Sequence, residues 1–275
     1  MEFNDKKFEL QTYQACPNLI SPQLPFHPEL YSYIVSNSVR IDPKLQLRDL
    51  GITVTSDLSW STHIASIASK KKGIMAWVLS VFSSREPTVM LTLYKSIVRS
   101  NIEYCCPLWH PSKIQDIEML ESIQRQFTRK VNGCQTLTYW KRLQKLRLSS
   151  LQRRRERYIV LTMWKILNNK IPNMNVQFRP QSRLGIQAVV PSLAPGSRAA
   201  NRTIYEQSFA VIGPTLWNCL PCQLTTIECA SSFKAKISAL IYSLLDEPPV
   251  SGYMRAHGNS LPEAVRRADE RWSRW

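Results

Sequence analysis

The chain has 275 residues, of which 36 are Lys or Arg and 20 are Asp or Glu, so its net charge is +16. Apolar residues make up 44% of the chain, which excludes wholesale disorder and allows one large domain or two smaller ones. A positive charge of this size favours a polyanionic partner, most often nucleic acid and otherwise an anionic membrane.

The sequence also indicates a compartment. The N-terminal residues have no apolar region of the signal-peptide type, and no apolar run approaches the ~18 residues of a membrane span. The seven cysteines form no disulfide framework by their spacing, which favours a reducing environment. We therefore expect an intracellular protein, cytoplasmic or nuclear, that is not secreted and has no membrane partner.

Residues 1–56 have the pattern of short strands separated by turns, and we expect them to form a small β segment. Its β-leaning stretches are FELQTY, LYSYIVS and LGITVT. The proline-rich stretch between the first two is expected to be a loop. Ser56 and Asp57 are turn-forming residues and end the segment.

From Trp60 onward the apolar residues recur at steps of three and four, which indicates helices. The expected helices are one capped by Ser61, one from Pro87 to about Cys106, one after Pro111 that stops near Gly133, one in TYWKRLQKLRL, and one at about 150–169 capped by Ser149 or Ser150. Because the links between them are short, residues 57–171 are predicted to form a helical bundle.

Residues 172–207 are rich in Pro, Ser and Arg and have no period, so we expect a linker or a loop that wraps the surface. Residues 208–275 are expected to be an irregular C-terminal extension with one amphipathic helix after Ser231 and Ser232, and a short basic helix in PEAVRRADERW. The predicted fold is therefore mainly α, with a helical bundle, a small N-terminal β segment and an irregular C-terminal extension.

Most of the net charge lies between residues 125 and 157, where eleven cations face a single acid, Glu156. The cations are Arg125, Arg129, Lys130, Lys141, Arg142, Lys145, Arg147, Arg153, Arg154, Arg155 and Arg157. Three neighbouring helices share this one sign. Rows of Lys and Arg with interleaved aromatic rings suit a phosphate backbone and stacked bases, so we predict that these cations bind nucleic acid.

Each part of this pattern also has a more ordinary interpretation. Lys and Arg can form a solvated helix face whose aliphatic stems cover apolar surface. The aromatic residues Tyr139, Trp140 and Tyr158, taken one by one, are more often core residues than stacking platforms. The three lysines at 70–72 are a second, weaker candidate for phosphate contact.

Two groups of cysteines have spacings that resemble those of metal ligands. They are Cys105 and Cys106 with His110 and Cys134, and Cys219 and Cys222 with Cys229. Adjacent side chains on a helix diverge by about 100°, and a structural zinc ion needs four ligands. We therefore expect buried thiols in the first group, a packing role for the second, and no bound metal in either.

No local motif in the sequence supports catalysis. The seven aspartates are dispersed and none adjoins another, whereas two-metal phosphoryl transfer needs carboxylates that converge on ions about 4 Å apart. A Walker A loop, a G-x-S-x-G elbow and an H-E-x-x-H pair are all missing from the sequence.

Six segments follow one another in an order typical of one family. They are MEFNDKKFEL, RDLGITVTSDLSWSTHI, YKSIVRSNIEYCCPLWHP, LESIQRQFTRKVNG, LQRRRERYIVLTMWKILN, and SFAVIGPTLWNCLP with SSFKAKI. They cover roughly residues 1–12 and 42–245 and resemble the C-terminal part of the reverse transcriptase of jockey-like non-LTR, or LINE-type, retrotransposons. The matched patterns include E-Y-x-x-P-x-W-x-P and L-E-x-x-Q, while Phe8 stands where the family usually has Cys.

The resemblance implies which part of a polymerase the chain corresponds to. Residues 1–56 resemble the end of the palm near the primer grip, 57–171 a helical thumb, and the residues from 172 onward the region beyond it. The adjacent aspartates of the family's F/Y-x-D-D motif have no counterpart here. The implied protein is a truncated RNA-directed DNA polymerase that lacks the catalytic palm. It is no enzyme by itself and holds no cofactor, whereas the intact polymerase needs Mg²⁺.

A thumb of this kind holds the template–primer duplex through its backbone. The implied partner is therefore an RNA–DNA hybrid or a DNA duplex, bound with little sequence preference. RNA of the parent element and an intact polymerase are further candidate partners. The alternative is an inert or repurposed helical module, derived from such an element, whose basic face binds an acidic protein.

Overall fold

In the computed structural model, the described residues are 9–11, 13, 33–35, 39–41, 43–111, 113–173, 175–181, 185–192 and 204–243. They are mainly helical and carry a small β segment ahead of the first long helix, which confirms the predicted fold class. The basic helix expected in PEAVRRADERW lies outside these residues. Within them, no helix has both the length and the apolar character needed to cross a membrane.

The N-terminal β segment consists of antiparallel hairpins. β1 (Tyr33–Val35) pairs with β2 (Val39–Ile41), and β3 (Gln46–Asp49) pairs with β4 (Ile52–Thr55). Leu50 and Gly51 form the turn of the second hairpin, with φ angles of 45° and 86°. Positive φ at both turn residues gives a twist that matches the strands, and glycine adopts it without strain.

Short links join the elements of the helical bundle. They are α1 (Ser61–Val81), α2 (Pro87–Leu93), a π-helical segment (Tyr94–Arg99), α3 (Ser100–Ile102), α4 (Ile114–Arg129), α5 (Tyr139–Leu146) and α6 (Leu151–Leu167). Pro87 opens α2, where its missing N–H would have no helical partner anyway. Ser150 caps α6, as predicted, because its side chain accepts the backbone N–H of Arg153 at 3.3 Å.

The structure corrects the boundaries of two predicted helices. The cap position of α1 is Trp60 rather than Ser61, whose hydroxyl donates to an aspartate of α4 at 2.7 Å instead. The helix predicted to reach Cys106 ends at Ile102. Cys105 then adopts a left-handed φ of 49°, which turns the chain towards α4.

Two hydrophobic cores hold the described elements, and α6 takes part in both. The first core extends from Ile52 in β4 through the bundle helices to Leu151 at the start of α6. The second core surrounds residues 159–166 of α6 and receives Trp217 and Phe233 from the C-terminal helices. Because one helix supplies side chains to both cores, its orientation fixes how they lie relative to each other.

The C-terminal part is more regular than predicted. A hairpin of β5 (Phe178–Gln181) and β6 (Gly185–Ala188) lies within residues 172–207, the expected linker or loop. It is followed by α7 (Phe209–Asn218), α8 (Cys222–Thr225) and α9 (Ala230–Ser243). The last of these is the amphipathic helix that the sequence predicted, and it buries Phe233 and Ile237.

Side chains of α7 complete the hydrogen bonding of the β5–β6 hairpin. The Asn218 amide accepts from the N–H and donates to the C=O of Ala188, each at 2.8 Å. Trp217 Nε1 donates to the carbonyl oxygen of Ile186 at 2.8 Å. Backbone groups that would otherwise lack partners are thus paired by residues about 30 positions later in the chain.

Candidate nucleic-acid interface

The eleven cations predicted to bind nucleic acid fall into two groups in the structure. Six are exposed and lie on the second half of α4, on α5 and just beyond these helices: Arg125, Arg129, Lys130, Lys141, Lys145 and Arg147. We call these six residues the α4–α5 basic surface. The other five are buried or half-buried: Arg142, Arg153, Arg154, Arg155 and Arg157. The first group is therefore the one that a duplex can reach.

Arg142 joins α5 to α4 from beneath this surface. Its guanidinium donates to Thr128 Oγ1 and to the carbonyl oxygen of Arg125, both at 3.2 Å, and to the carbonyl oxygen of Leu137 at 2.9 Å. Burial lowers the pKa of Arg142. The phosphate contact predicted for Arg142 is thereby corrected, since its donors are turned towards the protein. Its role is to hold the two cationic helices together.

Helical spacing brings the exposed cations onto shared faces. Arg125 and Arg129 are four residues apart on α4, and Lys141 and Lys145 are four residues apart on α5, so each pair lies on one side of its helix. The Arg125 guanidinium lies 5.1 Å from the centre of the Tyr139 ring, at the first residue of α5. The two cationic pairs therefore belong to neighbouring parts of one surface.

No acid of the same stretch opposes this charge. The sequence from Ser122 to Arg147 contains neither Asp nor Glu. Among the described residues none of the six cations forms an ion pair with a carboxylate, and Lys145 Nζ donates to the carbonyl oxygen of Gly133 at 2.8 Å. Like charges four residues apart on a helix are destabilising by roughly 0.2–0.5 kcal/mol per pair. A polyanion that neutralised the surface would remove this repulsion.

The second group of cations is bound within the protein, beginning with Arg154. Its Nε and Nη2 both contact the carboxylate of Glu103, 51 residues earlier, with Nη2 at 2.9 Å from Oε2. The same carboxylate accepts the Tyr158 hydroxyl at 3.1 Å and lies 3.6 Å from Arg99 Nε. Two-point contacts of this type are the strong form of the arginine–carboxylate pair. They tie α6 to the residues that follow the π-helical segment.

Arg153 and Arg155 are 1% and 2% exposed. The Arg155 guanidinium lies 4.7 Å from the ring centre of Trp109, and it donates to the last carbonyl oxygen of α3 at 3.3 Å. Arg157 is half-buried and donates to Ser238 Oγ on α9 at 3.0 Å. These side chains connect α6 to the end of α3 and the residues after it, and to α9.

These contacts correct the prediction for the α6 arginines. A guanidinium enclosed by the fold cannot reach a phosphate at the surface, so the burial of Arg153 and Arg155 excludes the predicted contact in this conformation. Arg154 and Arg157 already have partners inside the chain. Glu103 and Trp109, which belong to the E-Y-x-x-P-x-W-x-P match, thus contact Arg154 and Arg155 in the fold.

The aromatic residues near the cations are packed against the protein. Tyr139 is buried, and its hydroxyl donates to Glu121 and accepts from Gln124 Nε2 at 2.9 Å. Burial, together with the Glu121 carboxylate, raises the pKa of Tyr139 well above its ordinary value. Trp140 packs against the first core. The interpretation as core residues therefore holds for Tyr139 and Trp140.

Glu121 and Gln124, the two polar residues of the L-E-x-x-Q match, have roles that the sequence did not reveal. Glu121 Oε2 accepts the backbone N–H of Leu151 at 3.0 Å, at the start of α6, where the helix dipole favours a negative charge. Gln124 accepts the Tyr94 hydroxyl at 2.7 Å and donates to the carbonyl oxygen of Ser149 at 3.1 Å. Together they fix α4 against α6, a tertiary contact without a local sequence signal.

The cysteine groups lack the arrangement of a metal site. Cys106 and Cys134 are buried as expected, but Cys105 is exposed, which corrects that part of the prediction. Burial and the Arg155 cation lower the pKa of His110 to about 4, and burial raises the pKa of Cys106 to about 12. In the part of the chain that is described, no three His, Cys, Asp or Glu side chains are grouped to hold a metal ion.

The fold and the site together define a mainly helical protein with an unopposed basic surface. Over 89 residues the chain is 29% identical to a protein described as a probable RNA-directed DNA polymerase from transposon X-element, of Drosophila melanogaster. The match covers 31% of this chain and 10% of that protein, so the chain spans a small part of its relative's length. No protein-family model and no solved structure matches the chain. The similarity relates part of this chain to a transposon reverse transcriptase.

Proposed function

We propose that this chain is part of a LINE-type retrotransposon reverse transcriptase and binds template–primer nucleic acid without polymerising by itself. The partial similarity to the Drosophila polymerase and the order of the six matched segments support the family. The observation that carries the binding role is the α4–α5 basic surface, with six exposed cations and no acid from Ser122 to Arg147. In this proposal the helical bundle acts as a thumb.

Phosphate contacts account for how such a surface holds a duplex. Lys and Arg side chains on one face bind phosphates, which position the duplex but carry no information about its bases. An RNA–DNA hybrid and a DNA duplex are therefore both suitable partners. Each neutralised phosphate releases counterions, so six engaged cations would make log K fall with log salt at a slope of about −5.

The proposal assigns polymerisation to residues outside this sequence. Phosphoryl transfer between nucleotides needs carboxylates that hold two metal ions, and the seven aspartates of this chain are dispersed along it. The Mg²⁺ of an intact polymerase would be bound by its palm. An intracellular location, cytoplasmic or nuclear, is part of the same proposal because the template and primer are found there.

Salt-titrated binding to an RNA–DNA hybrid tests the proposal. We expect tight binding at low salt, a steep salt dependence, and no preference among unrelated sequences. The triple variant Arg129→Gln, Lys141→Gln, Lys145→Gln should bind every sequence more weakly and reduce the magnitude of the slope by about 3, one contact per cation. Fluorescence anisotropy at four or five salt concentrations gives both quantities.

A matched control removes the same charge elsewhere. Lys165 on α6 and Lys234 and Lys236 on α9 are exposed, so changing all three to Gln lowers the net charge equally. This variant should keep nearly the wild-type slope. If both triple variants lose affinity alike, the effect is one of net charge and the assigned surface is wrong. A wild-type affinity that is the same at low and high salt would overturn phosphate binding altogether.

A second function is favoured by one group of exposed apolar side chains. Leu50, Tyr104 and Leu108 are each more than half exposed, and the Tyr104 hydroxyl donates to the carbonyl oxygen of Leu50 at 3.3 Å. Such a group suits a protein contact, as in a helical interaction module whose basic face binds an acidic partner. A competition experiment distinguishes this function from duplex binding. If the basic face is built for an acidic protein, polyglutamate added at equal charge concentration should displace the bound hybrid. A duplex-binding thumb should retain the hybrid.

A further inference from the structure

An exposed tryptophan lies on α1, outside the α4–α5 basic surface. Trp77 is 55% exposed, whereas Trp109 and Trp217 are fully buried. Lys70, also exposed, precedes it by seven residues. At 100° per residue, seven residues come within about 20° of two full turns, so the ammonium and the indole lie on one face of the helix.

The space between these two side chains is open. Gly73 lies one turn before Trp77 and one turn after Lys70, and a Cβ built on it would meet nothing within 4 Å. The helix backbone is therefore uncovered beside the indole ring. An isolated exposed apolar side chain is ordinary. Here an indole, an open strip of backbone and a cation occur together on one face.

The charged side chains of α1 itself have one sign. From Leu58 to Arg85 the sequence contains no Asp or Glu. Lys71 is buried, and Arg85 donates to the carbonyl oxygens of Leu79 and Phe82 at the end of α1, so both are directed into the protein. Lys72 is also exposed, but it lies five residues before Trp77, about 140° away around the helix, so Lys70 is the exposed cation on the face of Trp77.

We propose that Lys70, Gly73 and Trp77 form a subsite for single-stranded nucleic acid. One base stacks on the Trp77 indole, lying over the open backbone at Gly73, and the Lys70 ammonium contacts a neighbouring phosphate. Aromatic stacking accepts every base because each has a π-face, so the subsite has no sequence preference. This deepens the proposed function, on which it rests for the class of partner.

The position of the subsite fits a strand that leaves a duplex. The backbone N–H of Asn132 donates to the carbonyl oxygen of Arg85 at 2.9 Å, which places the end of α1 beside the end of α4. Lys130 of the α4–α5 basic surface is two residues from that bond. A duplex on the basic surface and a single strand on α1 therefore lie on adjoining parts of the bundle.

Binding of labelled oligo(dT) and oligo(U) to the full chain tests the subsite. We expect Trp77→Ala to weaken both oligonucleotides roughly tenfold with an unchanged salt slope, and Trp77→Phe to retain most of the affinity. Lys70→Gln should reduce the magnitude of the slope by about 0.7, one phosphate contact on a single strand. Val89→Ala and Lys165→Gln, which alter exposed side chains on α2 and α6, are the matched controls.

The outcomes separate this inference from the proposed function. If Trp77→Ala binds both oligonucleotides like the wild type while the hybrid still binds through the α4–α5 basic surface, the subsite is overturned and the proposed function stands. If the hybrid does not bind but oligonucleotide binding depends on Trp77, the subsite stands and the thumb role is overturned. Trp77-dependent binding of either oligonucleotide supports the subsite.

Discussion

Two pairs of arginines from the same cationic stretch have opposite environments in the structure. Arg125 and Arg129 on α4 are exposed, whereas Arg153 and Arg155 on α6 are almost fully buried. Both sets lie in the one run of eleven cations. The difference arises from position in the fold, because α6 crosses between two hydrophobic cores while the second half of α4 has one side in solvent.

The comparison shows that cations close together in the sequence need not form one exposed basic surface. An arginine can carry its charge into the protein when a carboxylate, a ring face or a row of carbonyl oxygens meets it there. For α6 those partners are Glu103, Trp109 and the end of α3, about 50 residues earlier in the chain. On the α4–α5 basic surface, Arg125 lies near the ring of Tyr139 and Lys145 donates to one carbonyl oxygen. All six side chains nevertheless stay exposed, and among the described residues none forms an ion pair with a carboxylate, so their charge remains available to a ligand.

The largest expected effect on the free energy of unfolding is that of replacing a buried arginine. Arg155→Ala removes a fully enclosed side chain from the ring of Trp109 and leaves the carbonyl oxygen of Ile102 without this donor. We expect a loss of about 3 kcal/mol in the free energy of unfolding, from the cavity and the unpaired acceptor together. Urea denaturation followed by circular dichroism measures it. A loss below about 0.5 kcal/mol would mean that the arginine is not held as the structure shows.

The helical period predicted the bundle, because each helix buries one apolar stripe. The cap at Ser150 and the helix start at Pro87 were also predictable, since both depend on the local backbone. The β5–β6 hairpin was not, because its outer groups are paired by Asn218 and Trp217 from a later helix. The local sequence of residues 172–207 gives no signal of that contact.

The candidate site was predictable to a similar extent. The sequence located the cations but not their exposure, which depends on partners such as Glu103 that are distant in the chain. Glu121 was missed for the same reason, since it acts on the start of α6 from the middle of α4. Its family-like pattern signalled a role without indicating that the role is structural.

A smaller effect on the free energy of unfolding should depend on pH, and it should arise in the region of the buried arginines rather than at the α4–α5 basic surface. His110 lies close to the buried Arg155, and burial with that cation lowers its pKa from 6.5 to about 4 in the folded chain. As pH falls below 6.5 the unfolded chain binds this proton first. Stability should therefore decline between about pH 6.5 and pH 4, by about 2 kcal/mol at pH 5 relative to pH 7.

Urea unfolding at pH 7, 6 and 5 measures this decline, and His110→Asn is the control that should flatten it. A shallower slope of the same sign should remain in the variant, because burial also lowers the pKa of His63. Equal slopes in the variant and the wild type would show that His110 is not the titrating group. Binding to the hybrid involves Lys and Arg, whose charge is constant over this range, so the affinity of the folded chain should change little.

The smallest expected effect on stability is that of replacing an exposed arginine of α4. Arg129→Gln removes a cation from the last turn of α4, where it has water rather than protein around its charge. The free energy of unfolding should change by no more than about 0.5 kcal/mol, since surface substitutions seldom exceed that. The magnitude of the salt slope of hybrid binding should nevertheless fall by about 0.9, one phosphate contact. Arg129→Lys keeps the charge and should keep the slope. If Arg129→Gln instead destabilised the fold as much as Arg155→Ala, the cation would be serving the helix through its dipole and contacts, and the division between binding and structural arginines would fail at the residue chosen to represent it.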